Sequence, residues 1–380
     1  MRILLGHTHS GDVYGEEWVE SWVSRLRISG FHVEAYPLAV SSQKTVVYFD
    51  ELDILWRYKD PNLLALYSRI RTKLENFDVF VCFNGTNIHP EFAASLDVIT
   101  VYGCFDDPES SSKLSRPVAH AFDIAMVGNI AEVETYKGWG IENVHWWPLG
   151  FRVGDFSAEL TKRAILHGNR SNDVVLLCER VEKYRKLRVD KFASAFPSGR
   201  YYGRGWPNGF LSEEKRVPLL QQSKIGINIH NSTGPINFRT FYLPANGVMQ
   251  ICDNKSHLSK IFRLDEEVIG FDSIDEAIEK AAYYLAHEDE RRTIAANGWS
   301  RAVRYYNEVE CFARMVKAVE QFKLGYPSKK IVPIPAFHSI PKNSLGNQIL
   351  KNAALMRSKL ANGITNRINI RGLLRGDTKY

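Results

Sequence analysis

The chain has 380 residues, 44% of them hydrophobic, 12% aromatic and 24% charged, which excludes a disordered or low-complexity protein and suits a soluble folded one. That length exceeds the roughly 250 to 300 residues a single core supports, so two domains are expected. The formal net charge is +6, but Ile340 to Tyr380 holds eight Lys and Arg against one acid, leaving 41 bases and 42 acids elsewhere. The basicity is therefore a tail property, and nucleic-acid binding by the body is not expected.

The opening "MRILLGHTHSGD" has three aliphatic residues in a row, fewer than a signal peptide or membrane anchor needs, and no run reaches the roughly 18 apolar residues of a spanning helix. Five scattered cysteines (Cys82, Cys104, Cys178, Cys252, Cys311) lie in or near apolar runs. They predict reduced core thiols and a cytoplasmic protein, not a disulfide framework or a zinc site.

In chain order, Arg2 to Leu5 predicts a strand, and "GEEWVESWVSRLRISG" a helix with Trp18, Val19, Trp22, Val23 and Leu26 on one face and Gly30 as its stop. "HVEAYPL" predicts a second strand, and Leu52 to Phe77 a helical stretch interrupted at Pro61. "DVFVCF", "DVITVYG" and "FDIAMVG" follow as short unalternating runs, the pattern of strands covered on both faces. The periodicity lapses at "WWPLGF", Trp146 to Phe151, and a second series begins: "DVVLLC", "RYY", "KIGINIH", "GVMQIC" and "EVIGF", with Ser273 and Glu276 forming a capping box. The expected architecture is α/β: a doubly wound domain over 1–150, another over 151–330, and a basic tail over 331–380 whose helical part, 344–362, crosses back to the first domain.

Chemistry-bearing residues fall at predicted strand ends. "IGINIH" runs through a loop into a helix that starts near Asn237, Arg239 and Thr240 and stops at Gly247. A helix mouth with an adjacent arginine suits phosphate, the alternative being a capped helix whose Arg239 pairs with a surface acid. "CERVEKYRKLR" brings Arg180, Lys183 and Arg185 just after the second domain's first strand, where such folds hold diphosphates, although a solvated helix face has the same composition. "YYGRGWPNG" is either an ordinary turn or a loop whose Arg204 and Trp206 flank a base. In the first domain, "GHTHSGD" carries His7, "NGTNIHPE" carries His89, and "YGCFDDPESS" carries Asp106 and Asp107. His7 and His9 lack further ligands at fixed spacing, so no metal site is expected. A nucleophile elbow, a Walker loop and a dinucleotide fingerprint are all missing.

"DDPES", "FDIAMVGN", "ETYKGWGIENVHWWPLGF", "YYGRGW", "INIHNSTGPINFRTFYLPANGVMQICDNKSHLSKIF" and "YYLAHEDERRTIAANGWSRAVRYY" occur in that order over residues 75–315. In them the chain resembles glycosyltransferases of the two-Rossmann GT-B fold, in particular the CgeB-like, spore-maturation group. The resemblance implies transfer of a sugar from a UDP-, GDP- or dTDP-linked donor to a glycan or glycolipid acceptor, without metal or other cofactor. It carries donor contacts over to Arg180, Arg185, Arg204, Trp206, Arg239 and Thr240, and the acid-bearing loop near the sugar to Asp106 and Asp107; by position alone, Lys183, His230, Asn237 and Tyr242 join the donor candidates and His7 joins the candidates for the chemistry. One departure stands out. Related enzymes carry Arg-x-Phe-Glu where this chain reads "RTFY", and the eighth residue before Tyr242 is Gly234, so both glutamates of related retaining enzymes are missing. A phenol cannot chelate two ribose hydroxyls as a carboxylate does. A nucleotide-sugar epimerase of the same fold and a non-catalytic nucleotide-sugar-binding protein are the alternatives. The tail adds an expected contact with anionic membrane at the cytoplasmic face.

Overall fold

The computed structural model describes residues 1–8, 16–40, 46–83, 85–180, 183–206, 208–230, 234, 237–253 and 255–325. The first domain contributes strands β1 (Arg2–His7), β2 (His32–Pro37), β3 (Val79–Cys82), β4 (Ile99–Cys104), β5 (Ile124–Val127) and β6 (Val144–Trp146). Its helices are α1 (Glu16–Ile28), α2 (Phe49–Arg57), α3 (Pro61–Leu74), α4 (Pro90–Ala94) and α5 (Val133–Gly138). The strands form one parallel sheet in the order β2-β1-β3-β4-β5-β6. Pro61 divides the helical stretch as expected: Asp60 caps α3 through bonds from the amides of Asn62 and Leu63 at 3.0 and 3.1 Å.

The second domain holds β7 (Asn172–Arg180), β8 (Arg200–Arg204), β9 (Ser223–Asn228), β10 (Met249–Cys252) and β11 (Ile269–Gly270). Helix α6 (Lys162–His167) precedes them, and α7 (Lys183–Ala195), α8 (Glu213–Gln221), α9 (Arg239–Ala245), α10 (Lys255–Leu258), α11 (Ile274–Ala286) and α12 (Glu288–Tyr305) run between and after them. This sheet is also parallel, in the order β11-β10-β9-β7-β8. Ser273 caps α11 by accepting from Glu276 N at 3.2 Å, while the Glu276 carboxylate reaches back to Asp272 N at 2.8 Å, one residue beyond the usual partner of a capping box.

Both sheets are covered on both faces, which explains why their strands show no alternation. On one face of the first sheet Leu4, Phe80, Tyr102 and Ala125 pack with Leu63, Leu66 and Ile70 of α3. On the other, Ile3, Leu5, Val81 and Met126 meet Trp22, Val23 and Leu26 of α1 together with Phe312, Met315 and Val319. The last three belong to α13 (Glu308–Gly325), which follows the second domain in sequence but completes the first in space. The return is thus made before residue 326, and 331–380, where the sequence reading placed it, lie outside the described residues. Among those described, no helix is long and apolar enough to cross a membrane.

The two crossings between domains lie side by side. Phe151 and Asn307 form a parallel bridge, with Phe151 N donating to Tyr306 O at 3.0 Å and Glu308 N to Phe151 O at 3.1 Å. Gly150 permits this approach: its φ is +66°, and a Cβ there would stand 2.5 Å from Tyr306 O. Asp155 ties the crossing to the second domain. Its carboxylate accepts from Arg152 Nε and Nη2 at 2.9 and 3.0 Å and from Arg216 Nη1 at 2.7 Å, and its carbonyl accepts from Asn246 Nδ2 at 2.6 Å. Burial opposes the charge on Asp155, yet the bonds and charge of Arg152, joined by Arg216, hold its carboxyl below the usual carboxylate range.

Candidate functional site

The strongest polar constellation lies at the C-terminal end of β9, where open α/β sheets place their ligands. Asn228, the last residue of that strand, is fully buried. Its Nδ2 donates to Thr240 Oγ1 at 3.2 Å and to Gln250 Oε1 at 3.1 Å. Its Oδ1 accepts from Asn237 Nδ2 and from Arg239 Nε, each at 3.0 Å. Arg239 also donates through Nη1 to Leu177 O on β7 at 2.9 Å. A guanidinium fixed at two of its nitrogens by neutral oxygens keeps its full charge, and its remaining N–H groups are those able to serve a phosphate.

His230 extends the network on the other side. Its Nδ1 lies 2.6 Å from Asp253 Oδ1 and its Nε2 3.1 Å from Thr240 Oγ1, while Asp253 also receives His230 N at 3.0 Å and Arg188 Nη2 at 3.3 Å. Burial lowers the pKa of His230, with the Asp253 bond opposing the shift. The neutral ring then donates from Nδ1 to Asp253 and accepts the Thr240 hydroxyl at Nε2. His230, Cys252 and Asp253 place potential ligand atoms within 4.8 Å of one another. The two oxygen and nitrogen ligands are already bonded to each other, and Arg188 pairs with the carboxylate, so the cluster reads as a hydrogen-bonded brace and not as a cation site.

The sequence-predicted donor residues divide accordingly. His230, Asn237, Arg239 and Thr240 meet in this one network. Thr240 N is capped by Asn237 Oδ1 at 3.1 Å, so that amide is occupied and the charge at the mouth of the seven-residue α9 comes from Arg239. Arg185, nearly buried, donates through Nη1 to Ile229 O at 3.3 Å, adjoining the same strand end. Arg180 ends β7 and pairs in register with Arg204 of β8, and Lys183 opens α7. Trp206 stacks on Tyr201, its ring 5.2 Å away and 26° from parallel. Tyr242 belongs to a buried apolar cluster with Phe241, Leu243 and Phe151, and burial pushes its phenol up to about 12. Arg188 belongs to the basic run already singled out after β7, whereas Asn228, Gln250 and Asp253 are not among the sequence candidates, their one signal being a polar side chain ending or flanking an apolar run.

In the first domain Asp107 is buried, with Tyr136 donating its hydroxyl to Asp107 Oδ2 at 2.7 Å. Asp106 beside it is exposed, and His7 is buried at the end of β1. Asn129 links this domain to the second. It donates through Nδ2 to Asp107 O at 3.3 Å and accepts Ala131 N at 3.1 Å, and a Cβ placed on Gly234 would lie 1.8 Å from Asn129 Oδ1. A side chain at Gly234, where the resemblance implies a glutamate, would therefore have to displace the Asn129 side chain.

A second feature of the cleft is aromatic. Phe83 and Phe105 directly follow β3 and β4, Trp147 follows β6, and Trp18 and Trp22 come from the first two turns of α1. Phe83 lies 5.4 Å from Trp22, 4.9 Å from Phe105 and 5.8 Å from Trp147 between ring centroids. Phe238, from the second domain, lines the same space.

Residues 175–317 match a family described as glycosyl transferase-like. The structure is similar to sucrose-phosphate synthase from Thermosynechococcus elongatus, with a TM-score of 0.61 and 13% identity over 86% of this chain and 100% of that one. It is also similar to HepE from Anabaena in complex with UDP, with a TM-score of 0.55 and 13% identity over 84% and 100% of the two chains. The avilamycin A glycosyltransferase AviGT4 superposes with a TM-score of 0.51 and 16% identity over 86% and 99%. The fold is GT-B. At these identities the likeness extends to the fold, and no curated protein matches the chain.

Proposed function

We propose that the protein is a glycosyltransferase that moves a sugar from a nucleotide-diphosphate sugar to a glycan or glycoconjugate acceptor without a metal ion, within the CgeB-like group. The observation that carries this reading is Arg239, held by Asn228 and Leu177 O at the C-terminal edge of the second sheet, inside the segment that matches the glycosyl transferase-like family. The HepE structures with UDP and with UDP-glucose support a UDP-type donor by analogy of fold. Metal independence rests on the side chains: Arg239 and Arg185, with Arg180 at the end of β7 and Lys183 at the start of α7, supply positive charge for a leaving diphosphate, the role a divalent cation takes elsewhere. The protein acts in the cytoplasm, with the basic residues of the tail drawing it to anionic membrane. The experiment is incubation with labelled UDP-, GDP- and dTDP-sugars, with and without glycan and glycolipid acceptors, in EDTA or manganese. Transfer in EDTA is the expected result, and turnover only in manganese would overturn the metal-free mechanism.

A second reading, a nucleotide-sugar-binding protein without catalysis, draws on the two missing carboxylates. Gly234 cannot be enlarged without displacing Asn129, and Tyr242 is packed in the core. Donor binding without transfer to any acceptor would favour it.

A further inference from the structure

A hollow on the first domain, apart from the donor network, gathers Arg2, Arg27 and His32 beside Phe31. We propose that it is a second ligand site, for a small phosphate monoester whose phosphate meets the three basic side chains and whose body lies against Phe31. The site is independent of the proposed sugar transfer.

Its position follows from the strand order. Arg2 opens β1 and His32 opens β2, and the two residues pair in register on neighbouring parallel strands, so both stand at the N-terminal edge of the first sheet. The chain leaves for the second domain from the opposite edge, after β6. Arg27 reaches the hollow from the last turn of α1. Its Nε donates to Val33 O at 2.7 Å, which fixes the guanidinium and leaves Nη1 and Nη2 for an occupant. Arg2 is steadied by Phe77, its guanidinium 5.2 Å from the ring centroid, and Phe31 is held edge-on by Phe312 at 5.1 Å. The hollow measures about 300 Å³, at the lower end of the range for small-molecule sites.

The charges select the ligand. Among the described residues neither Arg2 nor Arg27 has a carboxylate partner for its side chain. Glu34, an acid in the same wall, is paired with Lys73 Nζ at 2.5 Å, and the nearby Asp78 accepts Arg2 N at 2.6 Å. A hollow whose unpaired groups carry one sign of charge concentrates the opposite ion. Guanidinium forks match carboxylate and phosphate alike, but a carboxylate has two oxygens and one arginine satisfies it. A phosphate monoester presents three terminal oxygens and a charge of about −1.5 to −2, enough for two arginines and an imidazole N–H together. Inorganic phosphate would fill only part of the hollow and leave the half-buried Phe31 uncovered. An ester with an organic body removes that apolar surface from water as well.

Calorimetric titration of the full chain tests the assignment. The probes are AMP and glucose 6-phosphate, with adenosine, glucose and inorganic phosphate as controls and a short-chain phosphatidic acid as a lipid carrying the same group. At least one of the two esters is expected to bind, more tightly than inorganic phosphate, while its unphosphorylated counterpart does not. Arg27→Gln and Arg2→Gln should each weaken that ester about tenfold, the effect of losing a charged hydrogen bond. Thermal melts report that the variants are folded, and Arg2→Gln, at an exposed side chain, keeps the test open if Arg27→Gln is not. No binding of either ester, binding no tighter than that of inorganic phosphate, or binding of the lipid alone would overturn the site. So would an ester affinity indifferent to both substitutions, and a loss seen in Arg239→Ala instead would put the ester in the donor network.

Discussion

Asn228 Oδ1 accepts the Nε–H of Arg239 at 3.0 Å from the last position of β9, so a neutral buried amide sets the direction of the charged group the donor is proposed to meet. Arg239→Ala should weaken nucleotide-diphosphate binding by about 1.5 to 3 kcal/mol, the loss of a charged hydrogen bond. If Asn228 works through Arg239, then Asn228→Ala should weaken binding in the native chain and add little in the Arg239→Ala background. Calorimetric titration of all four proteins gives the coupling. Additive losses would mean that Asn228 supports the fold without aiming Arg239.

Gly234 and Asn129 make a prediction about the contact between domains. Gly234→Ala must displace the Asn129 side chain from Ala131 N and Asp107 O, costing about 1 to 3 kcal/mol as overpacking does. Asn129→Ala should recover part of that loss when combined with Gly234→Ala. Urea melts of the two single variants and the double variant provide the comparison, and losses that merely add would show that the contact does not carry the effect.

His230 should give the protein a pH dependence of known sign. Burial depresses its folded pKa, whereas the unfolded ring titrates near 6.5. Below about pH 6.5 the unfolded chain takes up the proton before the folded one does, so stability is complete above that pH and falls as the solution is acidified toward the folded value. His120 and His145 are shifted the same way by burial. His230→Gln should therefore reduce the slope of stability against pH between about 5 and 6.5 without abolishing it. Parallel curves for native and variant proteins would contradict a neutral buried ring.

Asp155 carries a structural prediction. With its carboxylate removed, Arg152 and Arg216, whose side chains are each 18% exposed, lose their common partner. Asp155→Ala should cost about 3 to 5 kcal/mol, the range for breaking a buried ion pair from one side. Differential scanning calorimetry would register this as a large fall in Tm, and a shift of only a degree or two would place the pair among weakly contributing surface contacts.

The strands other than β6 were legible because strands buried on both faces leave short apolar runs that a sequence displays directly, and Pro61 marks its own helix boundary; β6, three residues with a histidine and two tryptophans around its end, leaves no such run. Four donor candidates, His230, Asn237, Arg239 and Thr240, could be grouped from the sequence for a local reason: all lie within twelve residues of the end of β9. Asn228 and Asp253 were missed because their significance is a contact, Asn228 with Gln250 across the sheet and Asp253 with a histidine 23 positions away. The aromatic cluster of the first domain was hidden in the same way. Trp18, Phe83, Phe105 and Trp147 each sit in a segment that reads as ordinary core, and only the order of the strands brings them together. The apolar stripe of α13 also gives no sign of which sheet it covers.

That last helix has a consequence for how the chain is made. Ile3, Leu5, Trp22 and Val23 leave the ribosome early, yet Phe312, Met315 and Val319, which shield them, are translated after the whole second domain. At ordinary elongation rates the face stays uncovered for roughly 10 to 40 s after β6 is complete, far longer than hydrophobic collapse takes. The nascent first domain is thus a natural client for chaperones that bind apolar surface. Chains truncated anywhere before α13 should be degraded or aggregate, even where the sequence of the first domain is intact.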